Sequence, residues 1–333
     1  MTSKGSICLT GGAGYIGSHA CLALAARGIK PLTIDNLSTG SRDAVRWGSL
    51  VNLDLRDTER VTDALIKHNV DTVLHFAASA YVGESVTDPL KYYDNNVGGM
   101  LSLLTACAAA GVKTFVLSSS CATYGIPDQI PVDETTPQRP INPYGMTKLM
   151  CEQMLMDVAP QTDMAYGILR YFNVAGADVS GTLRENHDPE THLIPLTIFA
   201  AIGRTPLLKL FGGDYDTPDG SCIRDYVHVS DLAHGHILAF EHLRANGGNL
   251  TVNLGSGQGA SNFEIVEMVE KVTGCNVPVE VARRRIGDPP VLVADASLAR
   301  EMLGFVPQRS DLTTIVTDAV RSMGMEAAHA ISA

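Results

Sequence analysis

The sequence predicts an α/β fold, with a doubly wound parallel sheet and a smaller C-terminal substrate-binding lobe. Over the first half of the 333 residues, short runs rich in β-forming residues alternate with helical patterns. This alternation is typical of β–α–β units that place helices on both faces of one sheet. After Asn173 it stops, and residues 176–226 are rich in Gly, Pro, Asp and His, with one short helical stretch. A long segment of this kind usually covers a ligand.

The individual elements follow from short β-rich runs and from longer helical patterns that end at glycine or a polar turn. Strands are predicted at 6–10, 32–34, 72–76, 114–118 and 165–170, and later at 251–254 and 277–281. Helices are predicted at 15–27, 58–68, 89–110 and 144–157, and later near 196–202 and at 230–243 and 262–273. We therefore predict a nucleotide-binding domain at 1–173 and a lobe at 174–333, with some later segments returning to the first domain.

Composition excludes several classes of protein. Hydrophobic residues make up 45% of the chain and charged residues 18%, as in a globular protein with a full core. The net charge of −11 argues against binding along nucleic acid, which needs a basic face. Seven scattered cysteines without a Cys-x-x-Cys pair indicate reduced thiols and a cytoplasmic setting. The sequence shows neither a signal pattern nor an apolar run long enough to span a membrane.

A glycine-rich loop lies between the first predicted strand and helix. Gly11, Gly14 and Gly17 are spaced as in loops where backbone N–H groups at a helix start hold a pyrophosphate. Asp35 ends the second predicted strand, where a carboxylate accepts hydrogen bonds from an adenosine ribose and repels a 2′-phosphate. The first domain is therefore predicted to be of Rossmann type and to bind NAD rather than NADP.

Tyr144 and Lys148 lie four residues apart, on one face of a predicted helix. A free tyrosine has a pKa of about 10, so a tyrosine that acts as a base near neutral pH needs a neighbouring cation. Lys148 can supply that charge. Residues 118–120 are serines at the end of a strand, where parallel sheets bind ligands. One hydroxyl there can contact both the substrate and the phenol. The other two serines could do no more than hydrogen-bond the backbone at the strand end.

Several longer blocks make the sequence similar to the extended short-chain dehydrogenase/reductase family, and within it to the UDP-glucose 4-epimerases. They include Thr-Gly-Gly-Ala-Gly-Tyr-Ile-Gly at 10–17, Pro-Tyr-Gly-Met-Thr-Lys at 143–148 and Arg-Asp-Tyr-Val-His-Val at 224–229. Further blocks lie at 35–38, 75–78, 82–86, 92–97, 118–125, 170–173, 192–195 and 284–288. The resemblance runs from about residue 6 to about residue 312.

The resemblance implies roles for individual residues. Ser120, Tyr144 and Lys148 would be catalytic and would contact NAD. Ser120 and Tyr144 would also contact the UDP-sugar. NAD contacts are implied at Gly11, Gly14, Tyr15, Ile16, Gly17, Asp35, Asn36, Leu37, Ser38, Thr39, Gly40, Asp54, Leu55, Phe76, Ala77, Ala78, Ser79, Ala80, Asn95 and Phe172. UDP-sugar contacts are implied at Asn173, His192, Leu193, Lys209, Leu210, Phe211, Arg224, Arg285, Asp288 and Leu292. The two arginines suit a diphosphate, because guanidinium groups bind phosphate oxygens in pairs.

The sequence departs from the family pattern at three of these positions. Ala80 stands where some members carry a lysine near the cofactor phosphates. His192 stands where some carry asparagine. Leu292 stands where a bulky tyrosine resembles glucose- and galactose-restricted enzymes, and a small cysteine or serine resembles enzymes that also accept N-acetylated sugars. Leucine is intermediate, so acceptance of N-acetylated sugars is left open.

The implied activity is interconversion of UDP-galactose and UDP-glucose, in galactose metabolism, through a 4-keto sugar with NAD bound throughout. One alternative is another UDP-sugar 4-epimerase, acting on UDP-N-acetylglucosamine or a UDP-pentose. A non-enzymatic NAD-binding sensor is a minor alternative, since such a protein would be expected to lose Tyr144 or Lys148. A 4,6-dehydratase needs an acid–base pair of carboxylates just after the strand-end hydroxyl, and Cys121 and Ala122 stand there.

No metal site is predicted. His228, His234 and His236 could suggest one, but they straddle Ser230-Asp231, which resembles a helix N-cap and first turn. A homodimer is expected, both from the resemblance and because the helices at 89–110 and 144–158 are apolar on more than one face. The apolar residues of the second helix include Met146, Met150, Met154 and Met156. The tail from residue 324 is expected to be flexible.

Overall fold

The computed structural model describes residues 5–285 and 288–325, so residues 1–4, positions 286 and 287 of the 284–288 block and the tail beyond 325 lie outside the described residues. The strands are β1 (Ser6–Thr10), β2 (Leu32–Asp35), β3 (Ser49–Asn52), β4 (Val70–His75), β5 (Thr114–Ser120), β6 (Ala165–Tyr171), β7 (Asn173–Ala175), β8 (Leu208–Phe211), β9 (Ile223–His228), β10 (Asn249–Leu254), β11 (Gly259–Ser261), β12 (Val279–Ala282) and β13 (Val291–Leu292). The α-helices are α1 (Tyr15–Ala25), α2 (Thr58–Lys67), α3 (Val82–Thr87), α4 (Pro89–Tyr92), α5 (Gly99–Ala110), α6 (Pro143–Val158), α7 (Leu193–Ala201), α8 (Val229–Asn246), α9 (Asn262–Thr273), α10 (Ser297–Leu303) and α11 (Leu312–Ser322).

Seven parallel strands form the central sheet, in the order β10-β6-β5-β4-β1-β2-β3. Helices cover both faces: α2, α5 and α6 pack on one, and α1 and α8 on the other. The predicted doubly wound Rossmann-type fold is therefore confirmed. The strand order reverses between β1 and β4, and parallel sheets bind ligands in the crevice at such a point. β3 was not predicted, because this edge strand has no buried residue to give an apolar signal.

The predicted helix at 89–110 is wrong as a single α-helix. A π-helical segment, Tyr93–Gly98, separates α4 from α5. The widened turn brings Asn96 into the interior, where its side-chain amide bonds the backbone of Ser79 and the hydroxyl of Thr147. Such single π-turns are frequent at functional sites.

The smaller lobe is more regular than its sequence indicated. Residues 176–226 contain β8 and β9 as well as α7, whereas only the helix was predicted. β9 pairs with β7, β11 and β13, and β8 pairs with β12. A separate apolar core joins α7, α9 and α11. α8 and β10 follow β9 in the chain but pack against α1 and β6 of the large sheet.

Candidate active site

The glycine-rich loop has the shape that a dinucleotide needs. A side chain at Gly17 would overlap the carbonyl oxygen of Gly11, and Gly11 itself has a φ of +77°. Gly14 is the N-cap of α1, and within the described residues no side chain caps that helix. Its first N–H groups are therefore free to receive a pyrophosphate, which the helix dipole also favours. This loop fits the diphosphate of NAD.

Asp35 lies at the end of β2, beside this loop. Its Oδ1 accepts a hydrogen bond from the Leu37 amide at 2.8 Å, and its Oδ2 accepts one from Ala13 at 3.0 Å. Each carboxylate oxygen keeps a further lone pair for a ribose hydroxyl. Ser38 and Thr39 follow in an exposed turn.

The next group of predicted cofactor residues is held by contacts within the protein. Asp54 accepts hydrogen bonds from Arg56 at 2.8–2.9 Å and from Asn36 at 3.0 Å. The contact with Arg56 lowers the pKa of Asp54 well below its ordinary value, so the carboxylate is charged. Leu55 packs on the core beneath α2 and α5.

The loop after β4 carries the predicted positions 76–80. The ring of Phe76 lies 4.6 Å from the ring of His236, measured between centroids. Asn95 donates to the Ser79 hydroxyl at 3.2 Å, and the buried Asn96 holds the Ser79 backbone through bonds of 2.8 and 3.0 Å. Asn96 was missed because an Asn-Asn pair does not indicate which residue faces inward until the π-turn is known.

Ser120, Tyr144 and Lys148 come together at the C-terminal end of β5. Ser120 is the last residue of that strand, and Tyr144 and Lys148 lie in the first two turns of α6. Their exposures are 8%, 8% and 4%, so all three are buried. The Lys148 Nζ lies 5.9 Å from the centre of the Tyr144 ring and donates to the carbonyl of Ser118 at 2.8 Å. Asn142 begins α6 by accepting the Gly145 amide at 2.8 Å.

Burial dominates the electrostatics of this group. It raises the pKa of Tyr144 far above the ordinary value, with a further increase from Tyr171, while the Ser120 hydroxyl acts in the opposite direction. Burial also lowers the pKa of Lys148. The sequence led us to expect that Lys148 would lower the phenol pKa, but the amine is turned towards the Ser118 carbonyl.

Ser118 and Ser119 stabilise the strand end, as one of the two sequence-based alternatives stated. Ser118 Oγ lies 2.7 Å from His236 Nε2, and Ser119 donates to the buried carboxylate of Glu152. His236 Nδ1 in turn lies 2.9 Å from the carbonyl of Leu232. Both nitrogens of this histidine therefore have protein partners.

The three histidines around α8 do not share a site. His228 is the N-cap of α8 and accepts the Ser230 amide at 3.1 Å, whereas Ser230-Asp231 was expected to provide the cap. His234 is exposed, with its Nδ1 3.3 Å from Arg27. With His236 bonded to Ser118, each of the three has a different neighbour.

The predicted UDP-sugar residues form a cationic strip along the smaller lobe. Arg224, on β9, is 9% exposed and forms an ion pair with Asp288. The guanidinium carbon of Arg285 lies 4.2 Å from the centre of the Phe211 ring, and Lys209 Nζ lies 5.9 Å from it. The Asp288 amide donates to the Arg285 carbonyl at 3.4 Å, so Asp288 contacts both arginines. The strip matches the charge of a nucleoside diphosphate.

The apolar wall beside this strip contains Leu292. It is 7% exposed and packs with Cys121, Tyr124 and Phe172 in one small cluster. Cys121 follows Ser120, so Leu292 lies near the predicted site of chemistry. Asn173 is placed next to this wall, at the start of β7. Leu210 instead faces the core of the lobe with 1% exposure, so only its backbone is available to a ligand.

One cluster was not found from the sequence. Glu185, His187 and Glu190 lie beside His192, in the segment before α7. Burial would lower the pKa of both histidines, but the two carboxylates outweigh it and raise the values to about 9 for His187 and about 10 for His192. The signal was the alternation of Glu and His over eight positions, which was overlooked because the segment was interpreted as a ligand-covering loop.

Comparison with known proteins decides the family. A model of the "NAD dependent epimerase/dehydratase family" matches residues 7–255. The chain belongs to the NAD-dependent epimerase/dehydratase family. A curated relative from Rhizobium meliloti (strain 1021), "UDP-glucose 4-epimerase", is 51% identical over 314 residues, which cover 94% of this chain and 95% of the relative.

Solved structures of the family agree with the fold. The crystal structure of UDP-glucose 4-epimerase from Brucella ovis in complex with NAD has a TM-score of 0.95 and 53% identity, and covers 97% of this chain and 100% of that one. The enzyme from Bifidobacterium longum, in complex with NAD⁺ and UDP, has a TM-score of 0.91 and 35% identity, with 96% and 98% covered. This epimerase/dehydratase family is NAD-dependent, and the glycine loop and Asp35 described above fit that cofactor.

Proposed function

We propose that the chain is a UDP-glucose 4-epimerase that interconverts UDP-galactose and UDP-glucose in galactose metabolism. The observation that carries this proposal is the buried grouping of Ser120, Tyr144 and Lys148 at the sheet edge that also holds the dinucleotide loop. The similarity to UDP-glucose 4-epimerases over 94% of the chain supports the choice of substrate. In this proposal residues 1–173 mainly hold NAD, and residues 174–333 mainly hold the UDP-sugar.

The proposed mechanism assigns a step to each side chain. NAD, when bound, supplies the acceptor and later the donor of the hydride at the sugar C4. Tyr144 removes the proton of the 4-hydroxyl and later returns it, and Ser120 donates a hydrogen bond to the developing carbonyl oxygen. Lys148 supplies a positive charge beside Tyr144. Arg224 and Arg285 retain the diphosphate while the 4-keto sugar turns over, so that reduction occurs at its opposite face.

The proposal predicts turnover without added cofactor. Because oxidation and reduction alternate on one bound molecule, NAD is neither consumed nor released. Purified protein mixed with UDP-galactose alone is expected to produce UDP-glucose, detected by chromatography. Release of reduced cofactor in proportion to product would contradict the mechanism, and conversion only after NAD is added would contradict tight binding.

Leu292 favours a second candidate function, turnover of other UDP-sugars. Its side chain is smaller than tyrosine and belongs to the apolar wall near Ser120. The test compares kcat/KM for UDP-galactose, UDP-N-acetylgalactosamine and UDP-pentoses in the natural chain and in Leu292→Tyr. Loss of the N-acetylated activity alone in the variant would support this wider specificity.

We also propose a homodimer formed through α3 to α6. Leu90, Leu101 and Val86 are exposed by 77%, 60% and 62%, and Met146 and Met150 by 36% and 37%. These helices contact one another and so present one apolar surface, which monomeric proteins rarely leave uncovered. The sequence analysis also expected Met154 and Met156 on this face, but both pack against the core beneath it.

Light scattering is expected to show a dimer for the natural chain and a monomer for Leu101→Asp, because a buried carboxylate would face apolar partner residues. Ile66→Asp is the matched control, since Ile66 is 58% exposed on α2. A monomeric natural chain at micromolar concentration would contradict the proposal.

A cytoplasmic location completes the proposal. All seven cysteines lie in the described ranges, are free, and are at least partly buried. Thiols in this state are typical of a reducing compartment. Among the helices that the structure describes, none combines the length and the apolar character that crossing a membrane requires.

A further inference from the structure

Four metal-ligating side chains converge in the segment between β7 and α7. One ligand atom from each of Glu185, His187, Glu190 and His192 lies within 4.8 Å of the other three. His187 Nδ1 lies 3.4 Å from Glu185 Oε1 and 3.4 Å from Glu190 Oε2. His192 Nδ1 lies 2.9 Å from Glu185 Oε1 and 3.1 Å from Glu190 Oε1.

These separations match tetrahedral coordination. Zinc binds imidazole nitrogen and carboxylate oxygen at roughly 2.0–2.2 Å, which places neighbouring ligand atoms of a tetrahedron about 3.3 Å apart. The observed distances of 2.9–3.4 Å surround that value. The four imidazole-to-carboxylate distances, of which the two to Glu190 end on different oxygens, are therefore close to those of a tetrahedral site.

Two of the four atoms are buried without a hydrogen-bond partner among the described residues. They are Glu185 Oε1 and His187 Nδ1, and the Glu185 side chain is only 6% exposed. A buried carboxylate oxygen left unbonded is costly, so such atoms usually contact a cation or ordered water. A divalent cation at this position would supply the missing partner to both atoms.

We propose that Glu185, His187, Glu190 and His192 form a structural site for a divalent cation of the Zn²⁺ type. Two imidazoles and two carboxylates favour zinc over calcium or magnesium, which prefer more oxygen ligands. Four protein ligands close the site, as in structural rather than catalytic zinc centres. The Glu190 carboxylate is further oriented by the amides of Thr191 and His192, at 2.8 and 2.9 Å. This proposal replaces the sequence-based expectation of no metal.

The cation would join the smaller lobe to the NAD-binding loop. The ring of His187 packs edge-on against Tyr15 at 6.2 Å and Tyr81 at 5.9 Å between centroids. The Tyr15 hydroxyl donates to the carbonyl of Gly176, where the same segment begins, at 2.6 Å. At its other end His192 is the N-cap of α7. The site therefore orders the segment next to the proposed UDP-sugar contacts.

The competing explanation is two charged histidine–glutamate pairs without a metal. In that case two imidazolium rings would lie 4.9 Å apart, between centroids, and would repel each other. One divalent cation would balance both carboxylates and leave the imidazoles neutral, which removes that repulsion.

Metal content tests the site without any turnover, so its outcome is independent of the proposed epimerase activity. The full chain is equilibrated with Zn²⁺, desalted and measured by mass spectrometry. About one zinc per chain is expected for the natural chain and for the control His242→Ala, which changes a histidine of α8. His187→Ala and Glu185→Gln are expected to lower Zn²⁺ affinity by more than ~100-fold, beyond the usual effect of losing an outer-shell partner.

Two further measurements keep the test decisive if a variant folds poorly. Co²⁺ in place of Zn²⁺ should give the visible absorption of tetrahedral cobalt in the natural chain. A chelator should lower Tm of the natural chain but leave that of a folded His187→Ala unchanged. A natural chain that retains no zinc, or zinc retained equally in both ligand variants, would overturn the proposal.

Discussion

Replacement of Tyr144 by phenylalanine is expected to lower kcat for UDP-galactose by a factor on the order of 10²–10⁴, the usual contribution of a positioned acid–base group. The phenol is buried at the end of β5, beside Ser120, and no longer moves a proton once its oxygen is removed. KM should change little, because the proposed contacts of the diphosphate are with the arginines of the smaller lobe and not with Tyr144. Steady-state kinetics with UDP-galactose measure both parameters.

Tyr166→Phe is the matched control for this prediction. Tyr166 is also buried, on β6, but its hydroxyl contacts Asn249 at 3.2 Å. It pairs with Phe115, at the opposite end of β5 from Ser120. This variant is expected to keep nearly full kcat. NAD content, measured after denaturation, should be the same in both variants, which separates loss of chemistry from loss of cofactor. A Tyr144→Phe enzyme with nearly natural kcat would exclude the tyrosine as the proton-transferring group.

Local sequence patterns explain why the positions of many candidate cofactor residues could be predicted. Gly11, Gly14 and Gly17 are set by a tight turn, and Tyr144 and Lys148 by the spacing of one helical turn, so each group lies within a few residues of sequence. Asp35 could be placed because β1 and β2 are neighbouring strands separated by one helix. Short-range geometry therefore determines these positions, and the sequence records it directly.

The parts that could not be predicted depend on contacts between distant segments. The π-turn forms because Asn96 bonds the backbone of Ser79 and the side chain of Thr147, 17 and 51 residues away. The direction of the Lys148 amine depends on a carbonyl of the neighbouring strand, 30 residues earlier. Arg224 and Arg285 were assigned only through the resemblance, since no local pattern distinguishes a diphosphate-binding arginine from a surface one.

A buried ion pair near the predicted catalytic residues carries the second large effect, which is on stability. Arg170 Nε lies 3.0 Å from Glu152 Oε1, and Arg170 Nη2 lies 2.7 Å from Glu152 Oε2. The Arg170 side chain is 6% exposed and the Glu152 side chain 0%. The carboxylate also accepts hydrogen bonds from Gln138, at 2.8 Å, and from Ser119. The guanidinium packs 5.1 Å from the centre of the Tyr124 ring. The pair thus connects α6 to β5 and β6 one helical turn beyond Lys148.

Glu152→Ala is expected to lower the free energy of unfolding by about 3–5 kcal/mol, because it leaves the Arg170 charge buried without a partner. Replacing both residues by apolar ones of similar size, Glu152→Leu with Arg170→Met, should recover most of that loss, since no charge then remains. Urea unfolding with saturating NAD keeps the contribution of the cofactor equal in all variants.

Arg60→Ala, which removes an exposed pair with Asp57 at 3.6 Å, should change stability by less than about 1 kcal/mol. If Glu152→Ala were no more harmful than Arg60→Ala, the buried pair would contribute no more to stability than an exposed one. The rigidity of the site would then have to come from apolar packing alone.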